Sequence, residues 1–313
     1  MTLTELRYLV NLDRERHFGR AADRSFVSQP TLSVAIKKLE DQLGVALFER
    51  SRGEVKPTAV GERIIVQARK VIAEAKRVED LAREGRDELA GALRFGAIYT
   101  VAPYLLPHLI PRLREQAPQM PLVLEENFTA RLLEQLREDE IDVICVALPI
   151  QTPGLSTWAL YDEDFVVVLP SEHRWASAPQ IAAGDLAEES LLLLGPGHCF
   201  RDQVISACPK CVEGDGETAR PRTGSSLETI RHMVAGGLGV TVLPQAVVEN
   251  RGDDSGLTVW RPFRAPAPSR RIALVWRKSF PRLKAVAALR QAILSSPLRG
   301  VSLLFGEALQ EGL

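Results

Sequence analysis

The segment from residue 28 to residue 43 constrains the fold most, because it holds the start signals, the periodicity and the end of one amphipathic helix. Ser28 is a residue type that caps helices, Pro30 suits the first helical position, and Gly44 suits the end. Apolar residues at helical spacing predict a buried face formed by Leu32, Ile36, Leu39 and Leu43. The polar residues between them predict an outer face that is free to contact a ligand.

Two shorter helices are predicted before this one. The segment from Leu3 to Leu12 has apolar residues at helical spacing, and residues 17–24 carry the small pair Ala21-Ala22, which allows close helix packing. A turn at residues 26–29 joins the short helix to the polar one. This order predicts a helix-turn-helix whose second helix fits the major groove of DNA. The candidate DNA-binding residues on this helix are Gln29, Thr31, Ser33 and Lys37, of which the first three are expected near base edges.

Residues 47–58 predict a hairpin wing beside these helices. Its basic residues, Arg50, Arg52 and Lys56, suit phosphate or minor-groove contact. Residues 1–62 hold 10 Lys and Arg against 9 Asp and Glu, and the whole chain has a net charge of −1. A DNA-binding surface must therefore come from the placement of charges and not from their excess. The alternative is a three-helix core with no nucleic-acid role.

Residues 62–88 predict one long helix with an apolar stripe near heptad spacing. A stripe of this kind requires a partner helix, which a second chain can supply. The residues expected to make the contact are Ile65, Val71, Ile72 and Val78. The alternative is that the helix packs against its own chain.

Residues 92–300 alternate between strand-like and helix-like segments, which predicts an α/β domain with two parallel-sheet lobes and a cleft between them. The chain has 313 residues, 45% of them hydrophobic, which is enough for several domains with real cores. The predicted domains are therefore a DNA-binding domain at 1–61, a linker helix at 62–88 and a regulatory domain at 92–300. Residues 301–313 form a short amphipathic tail without an assigned role.

Three of the four cysteines lie in one short segment, from Gly195 to Cys211. Cys199 follows a turn, and the residues after it have helical spacing up to Pro209. A helix N-terminus favours a thiolate, and His198 and Arg201 are expected to add positive charge, so Cys199 is a candidate reactive thiol. A helix would separate Cys199 from Cys208 by about 13 Å, at roughly 1.5 Å per residue. A disulfide between them would require the helix to unwind, as a switch requires.

Other interpretations of the cysteines stay open. The segment could be a surface loop with incidental thiols. Cys208 and Cys211 have the spacing of half a zinc site, which His198 and Cys199 could complete, but a second pair is missing and we expect no metal. Cys211 is then a bystander. Cys145 lies in an apolar strand and is expected to be a buried structural thiol.

Two stretches carry a resemblance to a known family. The N-terminal pattern, from Ala21-Ala22 through Phe48-Glu49-Arg50 to Thr58-Ala59-Val60-Gly61, closely resembles the winged helix-turn-helix of LysR-type transcriptional regulators. The run from His198 to Gln203, followed by Cys208, resembles the redox loop of the peroxide-sensing members of that family. The resemblance implies a periplasmic-binding-protein-like effector domain and argues against a core without a nucleic-acid role.

The resemblance also implies roles for individual residues. Cys199 would react with hydrogen peroxide and Cys208 would resolve it as an intramolecular disulfide. Thr100 and Thr129 follow predicted strands whose ends face the cleft, and the resemblance implies that they position the peroxide; the alternative is that both are helix caps. Arg270 would stabilise the thiolate, although the register leaves Arg271 possible. Asp202 would hold Arg201 or a neighbour in place. The segment 213–223 departs from the family pattern, which leaves the subunit contacts made there in doubt.

The expected protein is a peroxide-sensing transcriptional regulator and not an enzyme, with no cofactor and hydrogen peroxide as oxidant. Its implied partners are promoter DNA, further copies of itself as homodimer or homotetramer, RNA polymerase, and thioredoxin- or glutaredoxin-type reductants. Neither a signal peptide nor a run of 18 apolar residues is present, so a cytoplasmic location is expected and no membrane. The alternatives are a regulator that answers a small metabolite, with incidental cysteines, and a thiol peroxidase.

Overall fold

We analysed a computed structural model of the chain. It describes residues 1–51, 54–84, 88–150, 152–211, 222–250 and 256–306. The chain forms two compact units, residues 1–86 and 87–313. Within the described ranges, none of the helices is both long enough and apolar enough to cross a membrane.

The first unit is a helix-turn-helix with a two-stranded wing and a long helix. Thr2 and Ser28 cap the first and third helices with their side-chain oxygens, as predicted for Ser28. The wing strands pair antiparallel from Phe48–Pro57 to Ser51–Glu54. The elements are α1 (Leu3–Glu15), α2 (Phe18–Arg24), α3 (Gln29–Leu43), β1 (Phe48–Ser51), β2 (Glu54–Pro57) and α4 (Ala59–Glu84).

The core of the first unit is formed where α1, α2, α3 and the start of α4 meet. Leu32, Ile36 and Leu39 are buried there as predicted. Leu43 was expected in the core, but it is 37% exposed because it ends the helix beside the left-handed Gly44. Helix α4 begins at Ala59, three residues earlier than predicted, and its first turns pack on α1.

The second unit is α/β. Its helices are α5 (Ala102–Gln116), α6 (Thr129–Arg137), α7 (Cys199–Ala207), α8 (Leu227–Ala235), α9 (Gln245–Glu249) and α10 (Leu283–Leu294). Its strands are β3 (Leu93–Ile98), β4 (Leu122–Asn127), β5 (Val143–Ala147), β6 (Leu155–Pro170), β7 (Leu191–Leu194), β8 (Arg222–Gly224), β9 (Val240–Pro244), β10 (Thr258–Pro262), β11 (Ser269–Arg277) and β12 (Ser302–Leu303).

These strands form one hydrogen-bonded sheet that runs through both lobes. Its order is β4-β3-β5-β11-β6-β9-β7-β8, with β10 and β12 also paired to β6. Strands β4, β3 and β5 are parallel, as are β8, β7 and β9, whereas β11 and β6 run antiparallel between the two sets. The two predicted parallel lobes are thus confirmed, and a long antiparallel pair joins them.

Each lobe has its own core. The first core includes Phe95, Leu105 and Leu289, and the second includes Phe165, Phe200 and Val204. The tail was predicted to be amphipathic, and its described part is extended: Ser302 and Leu303 pair with Asp162 and Tyr161 of β6. Residues 307–313 lie outside the described ranges.

Candidate functional site

A small cavity lies where two parallel strands of the first lobe end opposite the start of α7. Strand β3 ends at Ile98 and β4 ends at Asn127, so the residues after them face α7, as expected at the carboxyl ends of parallel strands. The cavity has a volume of about 10 Å³. A water-sized molecule needs roughly 10–15 Å³, so a metabolite of several carbons does not fit. The lining residues are Ile98, Tyr99, Thr100, Asn127, Phe128, Thr129, Gly197, His198 and Cys199.

Two threonines predicted to bind a ligand line this cavity. Thr100 accepts a hydrogen bond from Arg270 Nη1 at 2.8 Å. The Thr129 Oγ1 is buried and has no hydrogen-bond partner among the described residues. Neither threonine caps a helix, since Val101 and Phe128 hold the cap positions of α5 and α6. A buried hydroxyl without a partner is costly, so Thr129 is poised to bond a small polar ligand.

Arg270 is buried and holds the cavity-lining residue Thr100 in place by hydrogen bonds. Its Nε donates to Glu163 Oε1 at 2.6 Å, and its Nη2 donates to the Thr100 carbonyl at 3.1 Å. Its guanidinium lies 5.0 Å from the centre of the Phe200 ring. Burial raises the pKa of Glu163, and the adjacent Arg270 opposes that shift. Arg271, the other arginine considered, is exposed and pairs with half-buried Asp162 instead.

His198 contributes an uncharged ring to the site. It packs edge-on against Phe128 and Tyr99, with centroids 4.7 and 5.8 Å away. Burial lowers the pKa of His198, so the prediction that it adds positive charge beside Cys199 is wrong at neutral pH. Gly197, with φ +94°, makes the preceding turn, and a Cβ there would lie 3.3 Å from the Phe128 ring.

Arg201 is hydrogen-bonded to a neighbouring strand, and Asp202 lies at the surface. The Arg201 Nη1 donates to the Leu194 carbonyl at 2.8 Å and ties α7 to β7. Asp202 is exposed and shows no ion pair with Arg201 in the described part of the chain. It lines a wide depression of about 770 Å³ on another face of α7, together with Gln203, Ser206 and Arg271. The helix residues Asp202, Gln203 and Ser206 thus line this depression and not the cavity beside Cys199.

Cys199 is the first residue of α7, as predicted, and its thiol is free and half-buried. Cys208 ends the helix. Contrary to the expectation that Cys211 is a bystander, Cys208 and Cys211 form a disulfide with a Cα–Cα distance of 5.6 Å. A short 3-10 turn at Pro209–Cys211 brings the two together. Cys145 is fully buried, as predicted, and burial raises the pKa of its thiol.

The predicted DNA-binding residues lie on one helix and the wing. On α3, Gln29, Thr31 and Lys37 are exposed and Ser33 is half-buried, while the Thr31 hydroxyl lies 2.8 Å from the Ser28 hydroxyl. Lys56 on the wing is exposed. Arg52 and the side chain of Arg50 lie outside the described residues.

Three residues of the site were missed from the sequence. Tyr99 and Phe128 follow strand ends next to the predicted threonines, so the position of the strand ends was the available signal. Glu163 sits in the acidic run Asp162-Glu163-Asp164, where alternation along a strand does not say which carboxylate is buried against Arg270.

Two family descriptions match the chain. Residues 3–62 match the bacterial regulatory helix-turn-helix protein of the lysR family, and residues 86–297 match the LysR substrate binding domain.

Individual relatives are similar over nearly the whole chain. The DNA-binding transcriptional dual regulator OxyR of Escherichia coli (strain K12) is 40% identical over 293 residues, which cover 94% of this chain and 95% of that protein. A full-length cysteine-to-aspartate variant of OxyR from Pseudomonas aeruginosa is 50% identical, with 98% and 99% coverage and a TM-score of 0.77. A cysteine-to-serine OxyR variant from Corynebacterium glutamicum with H2O2 bound is 34% identical, with 94% and 91% coverage and a TM-score of 0.62.

Proposed function

The chain belongs to the LysR family of bacterial regulatory helix-turn-helix proteins, and from that premise we propose that it is a transcriptional regulator switched by hydrogen peroxide. Residues 1–61 would bind promoter DNA, 62–88 would pair chains and 92–300 would sense the oxidant. The relatives named for OxyR support this assignment.

One observation carries the proposal: Cys199 shares a cavity of about 10 Å³ with the Thr129 hydroxyl, which no other described residue bonds. Hydrogen peroxide has only two heavy atoms and both donates and accepts hydrogen bonds. The Thr129 hydroxyl supplies a matching group, and Thr100 is already fixed by Arg270. A site of this size excludes an effector of several carbons.

The first step is a two-electron oxidation of sulfur. The Cys199 thiolate attacks one peroxide oxygen, the O–O bond breaks, and the other oxygen leaves as water after taking a proton. Cys199 becomes a sulfenic acid. Arg270 and the threonine hydroxyls would stabilise the negative charge that passes from sulfur to the leaving oxygen.

The second step forms the disulfide. A reduced Cys208 attacks the Cys199 sulfur, and the sulfenic oxygen leaves as water. Helix α7 holds these residues apart by about 13 Å, so the step requires α7 to unwind and Phe200 and Val204 to leave the core. That local refolding is the proposed signal to the DNA-binding domains.

The test is the peroxide response of Cys199→Ser in the full-length protein, with Cys145→Ala as the matched control. Promoter binding before and after one equivalent of peroxide should change for the wild type and for Cys145→Ala. It should not change for Cys199→Ser, because no sulfenic acid can form. A normal peroxide response in Cys199→Ser would refute the proposal.

The wide depression beside Asp202 favours a second candidate function, that of a regulator whose effector is a small metabolite. It predicts a promoter response to a small molecule that is retained in Cys199→Ser. A thiol peroxidase would instead turn over many equivalents of peroxide with thioredoxin. Reaction of one equivalent of peroxide per chain supports a regulator.

The partners follow from the same proposal. Double-stranded operator DNA would bind α3 and the wing, and the chain would associate as a homodimer and as a homotetramer. RNA polymerase would be contacted at promoters, and thioredoxin- or glutaredoxin-type reductants would reset the disulfide by thiol exchange. No cofactor enters these steps.

A further inference from the structure

Cys211 has no role in the proposed switch, but it is bonded to Cys208, which the switch requires. Both sulfurs belong to buried residues of the second core, and their Cα atoms are 5.6 Å apart. That spacing lies in the usual range for a disulfide. A Cys208–Cys211 bond therefore exists in the same fold that holds the Cys199 thiol free.

Helix α7 is complete in this disulfide form. It runs from Cys199 to Ala207, and the Cys208 backbone N–H donates to the Val204 carbonyl at 3.0 Å. Phe200 stays in the core, with its ring centroid 5.0 Å from that of Phe165. A bond between Cys199 and Cys208 would break these contacts, whereas the bond to Cys211 keeps all of them.

We propose that Cys211 is a second resolving thiol, which takes the disulfide over from Cys199 and ends the peroxide signal within the chain. The inference rests on the proposed function, since it begins from the Cys199–Cys208 disulfide. Cys211 is three residues from Cys208, so its thiol stays close to that sulfur even when α7 is unwound.

The exchange balances without a further reactant. The Cys211 thiolate attacks the Cys208 sulfur, the Cys199–Cys208 bond breaks, and Cys199 leaves as a thiolate that takes up the proton lost by Cys211. No net oxidation occurs in this step. Over the whole sequence, two thiols and one peroxide give the Cys208–Cys211 disulfide and two waters.

The direction of exchange follows from the fold. The Cys199–Cys208 form carries the cost of an unwound helix and of Phe200 and Val204 outside the core, and the Cys208–Cys211 form does not. The product has a free Cys199 but no free Cys208, so it is refractory to a second signal until a reductant opens the buried bond.

The test is a time course on full-length reduced protein given one equivalent of peroxide. Samples are quenched in acid, alkylated and analysed for disulfide-linked peptides by mass spectrometry. In the wild type, the Cys199–Cys208 link should appear first and give way to Cys208–Cys211, with Cys199 becoming alkylatable again. In Cys211→Ser, the Cys199–Cys208 link should last at least tenfold longer, and in Cys145→Ala it should decay as in the wild type.

Two results would overturn the inference. One is a Cys199–Cys208 link in the wild type that persists as long as in Cys211→Ser, which would leave the proposed function intact. The other is formation of Cys208–Cys211 at an unchanged rate in Cys199→Ser, which would mean direct oxidation of that pair. Failure of the proposed function is distinguishable, because Cys199 would then form neither a sulfenic acid nor a disulfide. The wild-type and Cys199→Ser time courses decide the question even if Cys211→Ser does not fold.

Discussion

The Thr129 hydroxyl lines the cavity beside Cys199 and has no hydrogen-bond partner in the described part of the chain, so its role can be tested by removing it. Thr129→Val keeps the shape of the side chain and loses the hydrogen bond. We expect the reaction of Cys199 with peroxide to slow about tenfold, equivalent to roughly 1.4 kcal/mol in the barrier. Stopped-flow measurement of sulfenic acid formation checks this. Thr223→Val, at an exposed position on β8, is the matched control.

DNA affinity of the reduced protein should be the same for Thr129→Val and the wild type. An unchanged peroxide rate in Thr129→Val would remove this residue from the site.

His198 predicts a pH dependence of stability. Burial lowers the pKa of His198 below its usual value near 6.5, so the folded protein holds the ring neutral. Its contribution to the free energy of unfolding is complete above that value. It is lost as the pH falls below it, because the unfolded chain then binds a proton that the folded chain does not.

Urea denaturation between about pH 7.5 and 5.5 measures this effect across the usual histidine pKa. His198→Gln should lose less stability over the range than the wild type does, whereas His232→Gln, at an exposed position, should behave like the wild type. Equal pH slopes for all three proteins would contradict the assignment of a neutral buried ring.

The sequence predicted which residues line the site better than it predicted their charge and burial. Thr100, Thr129 and Cys199 could be placed because strand ends and a helix start leave clear patterns. The charge on His198 and the burial of Glu163 depend on neighbours from distant segments, Phe128 and Arg270. No local pattern reports such contacts.

The apolar stripe of helix α4 is partly buried in the core of its own unit and partly exposed. Ile65 is buried and Ile72 is half-buried against the core of the first unit, so the alternative of packing on its own chain holds for these two residues. Val71 and Val78, at 38% and 67% exposure, remain outside. We therefore expect self-association to depend on Val71 and Val78.

Val78→Asp should weaken association of the full-length chain, because it places a charge in the apolar contact. The matched control is Val66→Asp: Val66 is 55% exposed and lies about 140° around the helix from Val71, at roughly 100° per residue. Light scattering over a concentration series measures the mass. An unchanged mass for Val78→Asp, or an equal loss for Val66→Asp, would exclude this face.

Helices and strands were predicted best where the signals that define them lie within the element or next to its ends. The helix at residues 29–43 has a capping residue, Ser28, and a terminating residue, Gly44, directly at its ends. In strand β6 only the second half, Phe165–Leu169, is a continuous apolar run, because the first half mixes polar and apolar residues and pairs with β11. Pairing with a strand more than a hundred residues away fixes that half.

DNA binding is a property of the full-length protein, and its affinity depends on salt concentration as well as on individual contacts. Lys37 is exposed on the outer face of α3. If it neutralises one phosphate, Lys37→Ala should weaken binding to every sequence and lower the salt slope by about 0.9.

Fluorescence anisotropy at several salt concentrations measures the slope. Lys70→Ala, at an exposed position on α4, should leave it unchanged. A shift in base preference at constant slope would instead make Lys37 a base contact.

Strand β6 has a mechanical consequence for the regulatory domain. Its first part pairs with β11 in one lobe, and its last residues pair with β9 and β10 in the other. A single strand thus belongs to the sheet in both lobes, and a hinge motion that opens the lobes would have to break hydrogen bonds between β6 and its neighbours. We therefore expect the sheet to stay rigid during the switch and α7 to be the part that moves. Amide protons of β6 and β11 should exchange equally slowly in both redox states, while those of residues 199–208 change.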